Sequence, residues 1–223
     1  MSGGTTLKQY NGVWMPDDET HLCQWMEKRK APVIDGFQTY QYHKYLAAKK
    51  YVKNWRTAID VGAHIGQWSR VMAMDFDQLY SFEPVDKFAE CWVRNLDNYD
   101  NALLHRTGLG NFKGHARIEH PTPGSNGNAR ISDAGELISI KTLDSFNLSH
   151  VDFIKIDCEG YEINVINGGL SLIKENRPCI LVEQKKGNGS RYCEGDTRAV
   201  ELLIELGAVL REEMSGDYIL SWD

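Results

Sequence analysis

Two stretches of this sequence set acids, glycines and a lysine at spacings that chemistry can use. The first is Ala58-Ile59-Asp60-Val61-Gly62-Ala63-His64-Ile65-Gly66, an apolar run closed by an acid and then by glycines at 62 and 66. The apolar run predicts a buried strand and the glycines a sharp turn into a helix, because a residue without Cβ lets the chain turn and lets backbone approach a ligand. The first turn of such a helix offers unpaired N–H groups and a positive dipole end, a seat for a carboxylate. Asp60, at the strand's lip, is placed to meet a ligand ammonium directly or through water, or to order the loop. A second acid, Glu83 in Tyr80-Ser81-Phe82-Glu83-Pro84, lies about 20 residues beyond the loop, where it can accept hydrogen bonds from both hydroxyls of a ribose.

Each half has a plainer reading. The glycines could form an ordinary strand–helix turn, and Glu83 could be an exposed carboxylate before a helix. Strand, loop, helix, strand and acid in register are harder to produce by accident than either half. A nicotinamide-binding loop fits less well, since G-x-G-x-x-G is absent and an acid precedes the first glycine. A ligand with a carboxylate, an ammonium and a ribose is S-adenosylmethionine (SAM), the expected cofactor. Thr107, Gly108 and Leu109, after the third strand, would meet its adenine edge; the glycines there could also simply end the strand.

The second informative stretch is Val151-Asp152-Phe153-Ile154-Lys155-Ile156-Asp157-Cys158-Glu159-Gly160. Alternation puts Phe153, Lys155 and Asp157 on one side of a strand. A lysine in a covered strand costs several kcal/mol, of order ~3–5, unless an opposite charge meets it. Asp157 is one candidate partner, and Glu183, closing the next strand, is another. SAM's sulfonium already activates the methyl group, so the protein must align a nucleophile and receive its proton. For a hydroxyl acceptor, Asp157, Glu159 and Glu183 are the candidate bases, with His64 a weaker one. Lys155 would hold the carboxylates or lower the acceptor's pKa. The competing structural reading is a buried Lys155–Glu183 ion pair that organises the strands. Oxygen ligands at Asp157, Glu159 and Glu183 suit Mg²⁺, but the spacing does not demand a metal and none is assigned.

The elements that must position these groups fall into two regimes. Before about residue 55 the chain reads as helical and aromatic, an appendage that could be a lid or a dimer element. Asp17 or Asp18 would cap a helix carrying Leu22, Trp25 and Met26, and a second helix would run from Thr39 to Lys53 with Tyr42, Tyr45, Leu46 and Val52 towards one side. Trp14, Tyr40, Tyr42, His43 and Tyr45 could fold over the cleft; packing against the sheet edge or a second subunit is the plainer role. From residue 55 to 223, strands at Thr57–Val61, Gln78–Phe82, Ala102–Arg106, Val151–Asp157 and Cys179–Glu183 alternate with helices at about Gln67–Met74, Asp86–Leu96, Glu162–Glu175 and Asp196–Leu206. Residues 111–142 look like an inserted β-hairpin, with arms His115–His120 and Glu136–Thr142, and with Arg130 and Lys141 as substrate contacts or solvated charges. Ala208–Met214 and Tyr218–Trp222 close the chain as an antiparallel hairpin. The expectation is an α/β, doubly wound, seven-stranded Rossmann-like methyltransferase sheet, mostly parallel with a C-terminal antiparallel hairpin.

Composition agrees. At 223 residues the chain suits one α/β domain, and 42% hydrophobic with 25% charged residues is the make-up of a globular protein. No apolar run approaches the ~18–20 residues of a membrane span, and Met1 to Tyr10 lacks a signal-peptide pattern. Five cysteines without a C-x-x-C pair suit free thiols in a reducing, cytoplasmic compartment. A net charge of -6 argues against a broad nucleic-acid footprint.

With these residues in place, the sequence resembles the FkbM-type methyltransferase family. The likeness rests on Ile59 to Gly66 (I-D-V-G-A-H-I-G), Ser81 to Pro84 (S-F-E-P), Thr142-Leu143-Asp144-Ser145 and Phe153 to Gly160 (F-I-K-I-D-C-E-G), with Gly168-Gly169-Leu170 and Glu183 following. It covers about residues 55–223; His64 departs from it, standing where asparagine is commoner. The resemblance implies that Asp60, Gly62, Gly66 and Glu83 bind SAM and that Lys155, Asp157, Glu159 and Glu183 line the reaction centre. It implies O-methylation of a hydroxyl on a sugar, glycan or small natural product. The alternatives are methylation of RNA or nucleotide hydroxyls, and a SAM- or nucleotide-binding module without catalysis.

Overall fold

Asn11-Gly12 and Asp35-Gly36 decide the shape of the first fifty residues. Both pairs have positive φ at both positions (46° and 79°, 50° and 77°), the geometry of a two-residue hairpin turn. The computed structural model describes residues 6–120, 129–192 and 195–223. In it β1 (Leu7–Tyr10) pairs antiparallel with β2 (Val13–Pro16), and β3 (Val33–Ile34) with β4 (Phe37–Gln38). Between and after these hairpins lie α1 (His21–Arg29) and α2 (Tyr42–Lys49). The expectation of a purely helical segment is therefore corrected: Asn-Gly and Asp-Gly override the local helical pattern. Helix α1 starts after Thr20, not at Asp17 or Asp18, and the Glu19 carboxylate accepts the Leu22 N–H at 2.8 Å.

The remaining elements follow in the expected alternation. They are β5 (Thr57–Val61), α3 (Gln67–Asp75), β6 (Gln78–Phe82), α4 (Asp86–Asn95), β7 (Ala102–His105) and β8 (Gly108–Leu109). Next come β9 (Gly114–Glu119), β10 (Arg130–Ser132), β11 (Glu136–Lys141), β12 (Val151–Ile156), α5 (Glu162–Asn167) and α6 (Leu170–Asn176). The chain ends with β13 (Cys179–Glu183), α7 (Arg198–Glu205), β14 (Val209–Met214) and β15 (Asp217–Ser221). Seven strands form the main sheet in the order β14-β15-β13-β12-β5-β6-β7. It is parallel from β7 to β13, and β15 turns antiparallel against β13 and β14. Every residue of β5, β12 and β13 is buried, as strands covered on both faces must be.

The period of two sorts these strands between two cores. Ile59, Val61, Ile154, Ile156, Ile180 and Val182 face α5, α6 and α7. Ala58, Phe153, Cys179 and Leu181 face the other way, where Val13, Met15, Met26, Phe37 and Tyr45 pack with α3 and α4. The N-terminal segment is thus a structural cover for one sheet face. Leu46, expected on its inner side, is 45% exposed.

Two further expectations change. The single helix expected over 162–175 breaks into α5 and α6 at Gly168-Gly169; a Cβ on Gly168 would lie 1.9 Å from the Gly110 carbonyl oxygen, so this close approach requires glycine. The inserted hairpin is real in its β9–β11 pairing, but β10 and β8 extend it to a four-stranded sheet, β10-β9-β11-β8. Its turn, expected from Pro121 to Gly135, lies partly outside the described residues, as does Cys193. Among the described residues, no helix is long and apolar enough to cross a membrane.

Candidate active site

The carboxyl ends of β5, β6, β12 and β13 open onto a cavity of about 400 Å³, within the range of small-molecule sites. Its floor is where two loops meet. Gly62 has φ 73°, and a Cβ there would stand 2.0 Å from the Asp157 carbonyl oxygen. The loops after β5 and β12 therefore touch backbone to backbone, which only glycine permits.

Glu83 braces the first loop from the neighbouring strand. Its two carboxylate oxygens accept the N–H groups of His64 (2.8 Å) and Val85 (2.9 Å). Burial pushes its pKa up to about 7, with those two N–H bonds working in the opposite direction. Glu83 forms part of the cavity wall, and each oxygen keeps a further lone pair for a ligand hydroxyl.

The Asp60 carboxylate turns towards α3. It is fully buried, outside the cavity wall, and accepts the Ser69 hydroxyl at 2.6 Å. Gly66, with φ 87°, is also off the wall: a Cβ would strike the side chains of Leu96 (2.6 Å) and Trp92 (2.9 Å). Its lack of a side chain allows close packing of α3 against α4. Gly108 and Leu109 line the cavity. Thr107 does not line it; its hydroxyl donates to the Ser139 carbonyl at 3.0 Å.

Lys155 is the centre of the charged end. Only 4% of its side chain is exposed, and Nζ lies 3.4 Å from Asp60, 3.5 Å from Asp157 and 5.7 Å from the Trp68 ring. It donates to the Gly62 carbonyl at 3.3 Å. Burial opposes its charge, but Asp60 and Asp157 outweigh burial and raise its pKa. The expected Lys155–Glu183 pair is corrected. Glu183 instead meets Lys185 at 2.7 Å, two residues farther along its own chain.

Oxygens of Asp157, Glu159 and Glu183 come within 4.8 Å of one another. Glu159 sits in the left-handed region (φ 51°), because the Glu162 carboxylate gathers the N–H groups of Cys158 (3.0 Å) and Gly160 (2.9 Å). Burial works against charge on Asp157, yet Lys155 holds it below the ordinary carboxylate range. Burial and then the Asp157 charge push Glu183 up to about 9. The two carboxyls therefore titrate as a coupled pair, with protonation favoured at Glu183 over Asp157. Burial also drives His64 down to about 4, so its imidazole is neutral.

Several lining residues escaped the sequence reading. Gln67, Trp68, His21, Leu22 and Lys185 all reach the cavity. Gln67 and Trp68 directly follow the glycine loop, which was the available signal. Of the aromatics considered as a cover, Tyr40 alone is in the wall; Tyr45 lies in the core and donates to Asp75 at 2.6 Å. Arg130 lines the cavity, whereas the Lys141 ammonium sits 5.5 Å over the Phe146 ring.

The donor set fits SAM. The Gly62–His64 turn lines the cavity with backbone, Glu83 offers acceptors for a ribose, and Phe82, Pro84 and Leu109 give an apolar wall for a base. Buried polar atoms of His64 and Gln67 lack protein partners at the same place.

Residues 60–212 match the family model described as the methyltransferase FkbM domain. Among solved structures, the FkbM methyltransferase of Methylobacillus flagellatus is 17% identical with a TM-score of 0.51, over 76% of this chain and 44% of that one. This chain thus spans less than half the length of that relative. A precorrin-6y C5,15-methyltransferase from Geobacter metallireducens is 14% identical with a TM-score of 0.52, over 96% of this chain and 100% of that one. A Streptococcus mutans protein solved in complex with SAH is 10% identical with a TM-score of 0.50, covering 79% of this chain and 94% of that one. No curated protein sequence gives a significant match.

Proposed function

Because this chain belongs to the FkbM methyltransferase family, we propose that it transfers the methyl group of SAM to a hydroxyl oxygen of a sugar, glycan or small natural product. Bound SAM supplies a methyl group already activated by its sulfonium charge. Glu83 would hold the ribose hydroxyls, and the loop at Gly62–His64 would present its backbone to the cofactor. Phe82, Pro84, Gly108 and Leu109 would enclose the base.

The observation that carries the choice of oxygen is the Asp157–Glu183 carboxyl pair beside Lys155. A hydroxyl must lose its proton as it is methylated, and a base within reach is required. With one proton on it, the pair is a weak base, since Asp157 is held below its ordinary range. Once Glu183 ionises, the pair can receive the hydroxyl proton with an affinity set by a value of about 9. Lys155 and Lys185 offset the negative charge that this form carries. Glu159, which lines the cavity and accepts the Asn188 amide at 3.1 Å, would take a second hydroxyl of a polyol.

The test supplies SAM with a labelled methyl group to three separate acceptor panels: sugars and glycans, hydroxylated natural products, and RNA. The expected product is a methyl ether on a sugar or small hydroxyl compound, formed at a rate that climbs with pH until about 9. Glu183→Gln should abolish that climb. Transfer to RNA, or to nitrogen or carbon, would refute the proposal.

A further inference from the structure

Tyr40 enters the cavity wall from outside the family match, which begins at residue 60. Its backbone is fixed on both sides. Thr39 directs its N–H and its hydroxyl to the Pro32 carbonyl (3.0 and 2.9 Å), and Gln41 takes the left-handed conformation (φ 52°) that opens α2. The ring packs against Trp25 of α1, with centroids 4.5 Å apart. Four other tyrosines donate their hydroxyl proton to a carboxylate: Tyr10 to Glu27, Tyr45 to Asp75, Tyr51 to Glu212 and Tyr99 to Asp35. Tyr40 does not. Among the described residues its hydroxyl makes one hydrogen bond, accepting the Gln41 side-chain N–H at 3.1 Å. A phenol both donates and accepts, and the side chain is only half-buried, so its donor is left for whatever fills the cavity.

The charges that reach this hydroxyl are those of Asp157, Lys185, Glu183 and Lys155, the groups around the tips of β12 and β13. Glu83 and the Gly62–His64 turn belong instead to the tips of β5 and β6. Tyr40 therefore stands at the proton-accepting end of the cavity. Burial pushes its pKa up to about 12, with Asp157 and Glu183 acting the same way and the lysines opposing, so the proton stays on the oxygen. A donor on the reacting oxygen would draw on the electron pair that attacks the methyl group. A donor on another oxygen of the same molecule fixes its orientation and leaves the nucleophile intact. We propose that Tyr40 determines which acceptor the enzyme takes, by donating its phenol O–H to an acceptor oxygen other than the one methylated. The acceptor class is thereby a compound with at least two oxygens, as in a polyol or a sugar. This rests on the O-methyl transfer reading of the site.

The test uses Tyr40→Phe, which keeps the ring against Trp25 and deletes the hydroxyl. Wild type and variant are given SAM with a labelled methyl group and the same panels of sugars and hydroxylated natural products. SAH binding and ligand-free melting are measured alongside. For a compound that the wild type methylates, the variant should show a KM raised about three- to tenfold, the loss of one neutral hydrogen bond. Its kcat should stay within about threefold, as for an interaction made equally in the ground and transition states. SAH affinity should hold within about twofold and the melting temperature within about 2 °C. One deoxy analogue of that acceptor, the one lacking the contacted oxygen, should be methylated equally by both proteins, which a packing role would not produce. An unchanged acceptor KM, a loss shared by every deoxy analogue, or an equal loss of SAH affinity overturns the proposal and leaves O-methyl transfer standing. Wild-type protein that methylates no hydroxyl compound overturns both.

Discussion

Replacing Lys155 by methionine keeps most of the side-chain volume and deletes the ammonium between Asp60 and Asp157, which stand 3.4 and 3.5 Å from it. Asp60 is fully buried, so its carboxylate cannot turn to water for compensation. Breaking a buried pair by removing one partner costs about 3–5 kcal/mol, a large share of the roughly 5–15 kcal/mol that holds a domain together. At about 2–4 °C per kcal/mol for a chain of this size, the melting temperature should fall by roughly 6–20 °C. The pH dependence gives a sharper signature. In the wild type, Asp157 is held below its ordinary range, so its contribution is present above the unfolded carboxylate value of about 3.9 and is lost as pH falls through the folded value. Lys155 is raised, so its contribution is present below the unfolded lysine value of about 10.4 and is lost only as pH rises through the folded one. Both are fully expressed from about pH 5 to 8, so this pair adds no slope there; Glu83 and Glu183, raised by burial, give wild type and variant alike a background fall in stability as pH rises. In the variant, burial is left without its counterweight and favours protonated carboxyls, so stability should rise as pH falls. Urea titrations followed by circular dichroism at about pH 8 and about pH 5 would measure both terms. A loss under about 1 kcal/mol, or a wild-type-to-variant gap that does not shrink at the lower pH, would refute the reasoning.

Gly62→Ala places a Cβ 2.0 Å from the Asp157 carbonyl oxygen at a φ of 73°, so it should cost about 3 kcal/mol or more in urea titration and abolish SAH binding. Gly36→Ala, at φ 77° with nothing within 4 Å, is the control for backbone strain alone and should cost about 1 kcal/mol. Equal losses in the two variants would contradict the loop contact. Glu83, raised to about 7 by burial, is mostly protonated below that pH, and donation from ribose hydroxyls favours its ionised form. Affinity for SAH should therefore strengthen as pH rises through about 7, with proton release on binding, and Glu83→Gln should flatten the profile. A flat wild-type profile in calorimetry would sink the ribose assignment.

The parallel core was legible because its signals are local and repeated. Val151–Ile156 and Thr57–Val61 are short apolar runs with an acid at or just beyond the tip, and the bounds of β5, β6 and β13 in the structure match those read from the sequence. The N-terminal hairpins were legible in principle through Asn11-Gly12 and Asp35-Gly36, but the surrounding aromatics at helical spacing obscured them. Contacts between distant segments left less trace. Nothing near residue 168 shows that Gly110 will press against it, and nothing at Glu183 shows that Lys185 rather than Lys155 will be its partner, because pairing depends on how β12 and β13 are aligned. Within the site, side-chain directions left little trace in the sequence. The Asp60 carboxylate turns to Ser69, the Thr107 hydroxyl to Ser139, and the Gln67 amide, ordinary as a sequence letter, lies buried without a hydrogen-bond partner.

The contact between Gly62 and the Asp157 carbonyl has a consequence for how such a site can diversify. The glycine loop after β5 and the loop bearing Asp157 meet through main-chain atoms, so neither can drift without dragging the other. Other lining residues, His21, Leu22, Tyr40, Arg130 and Ile138 among them, come from separate segments of the chain. Substitution at these positions changes the wall without touching that main-chain contact. On the proposed function, acceptor choice would then fall to parts of the chain that can change one residue at a time.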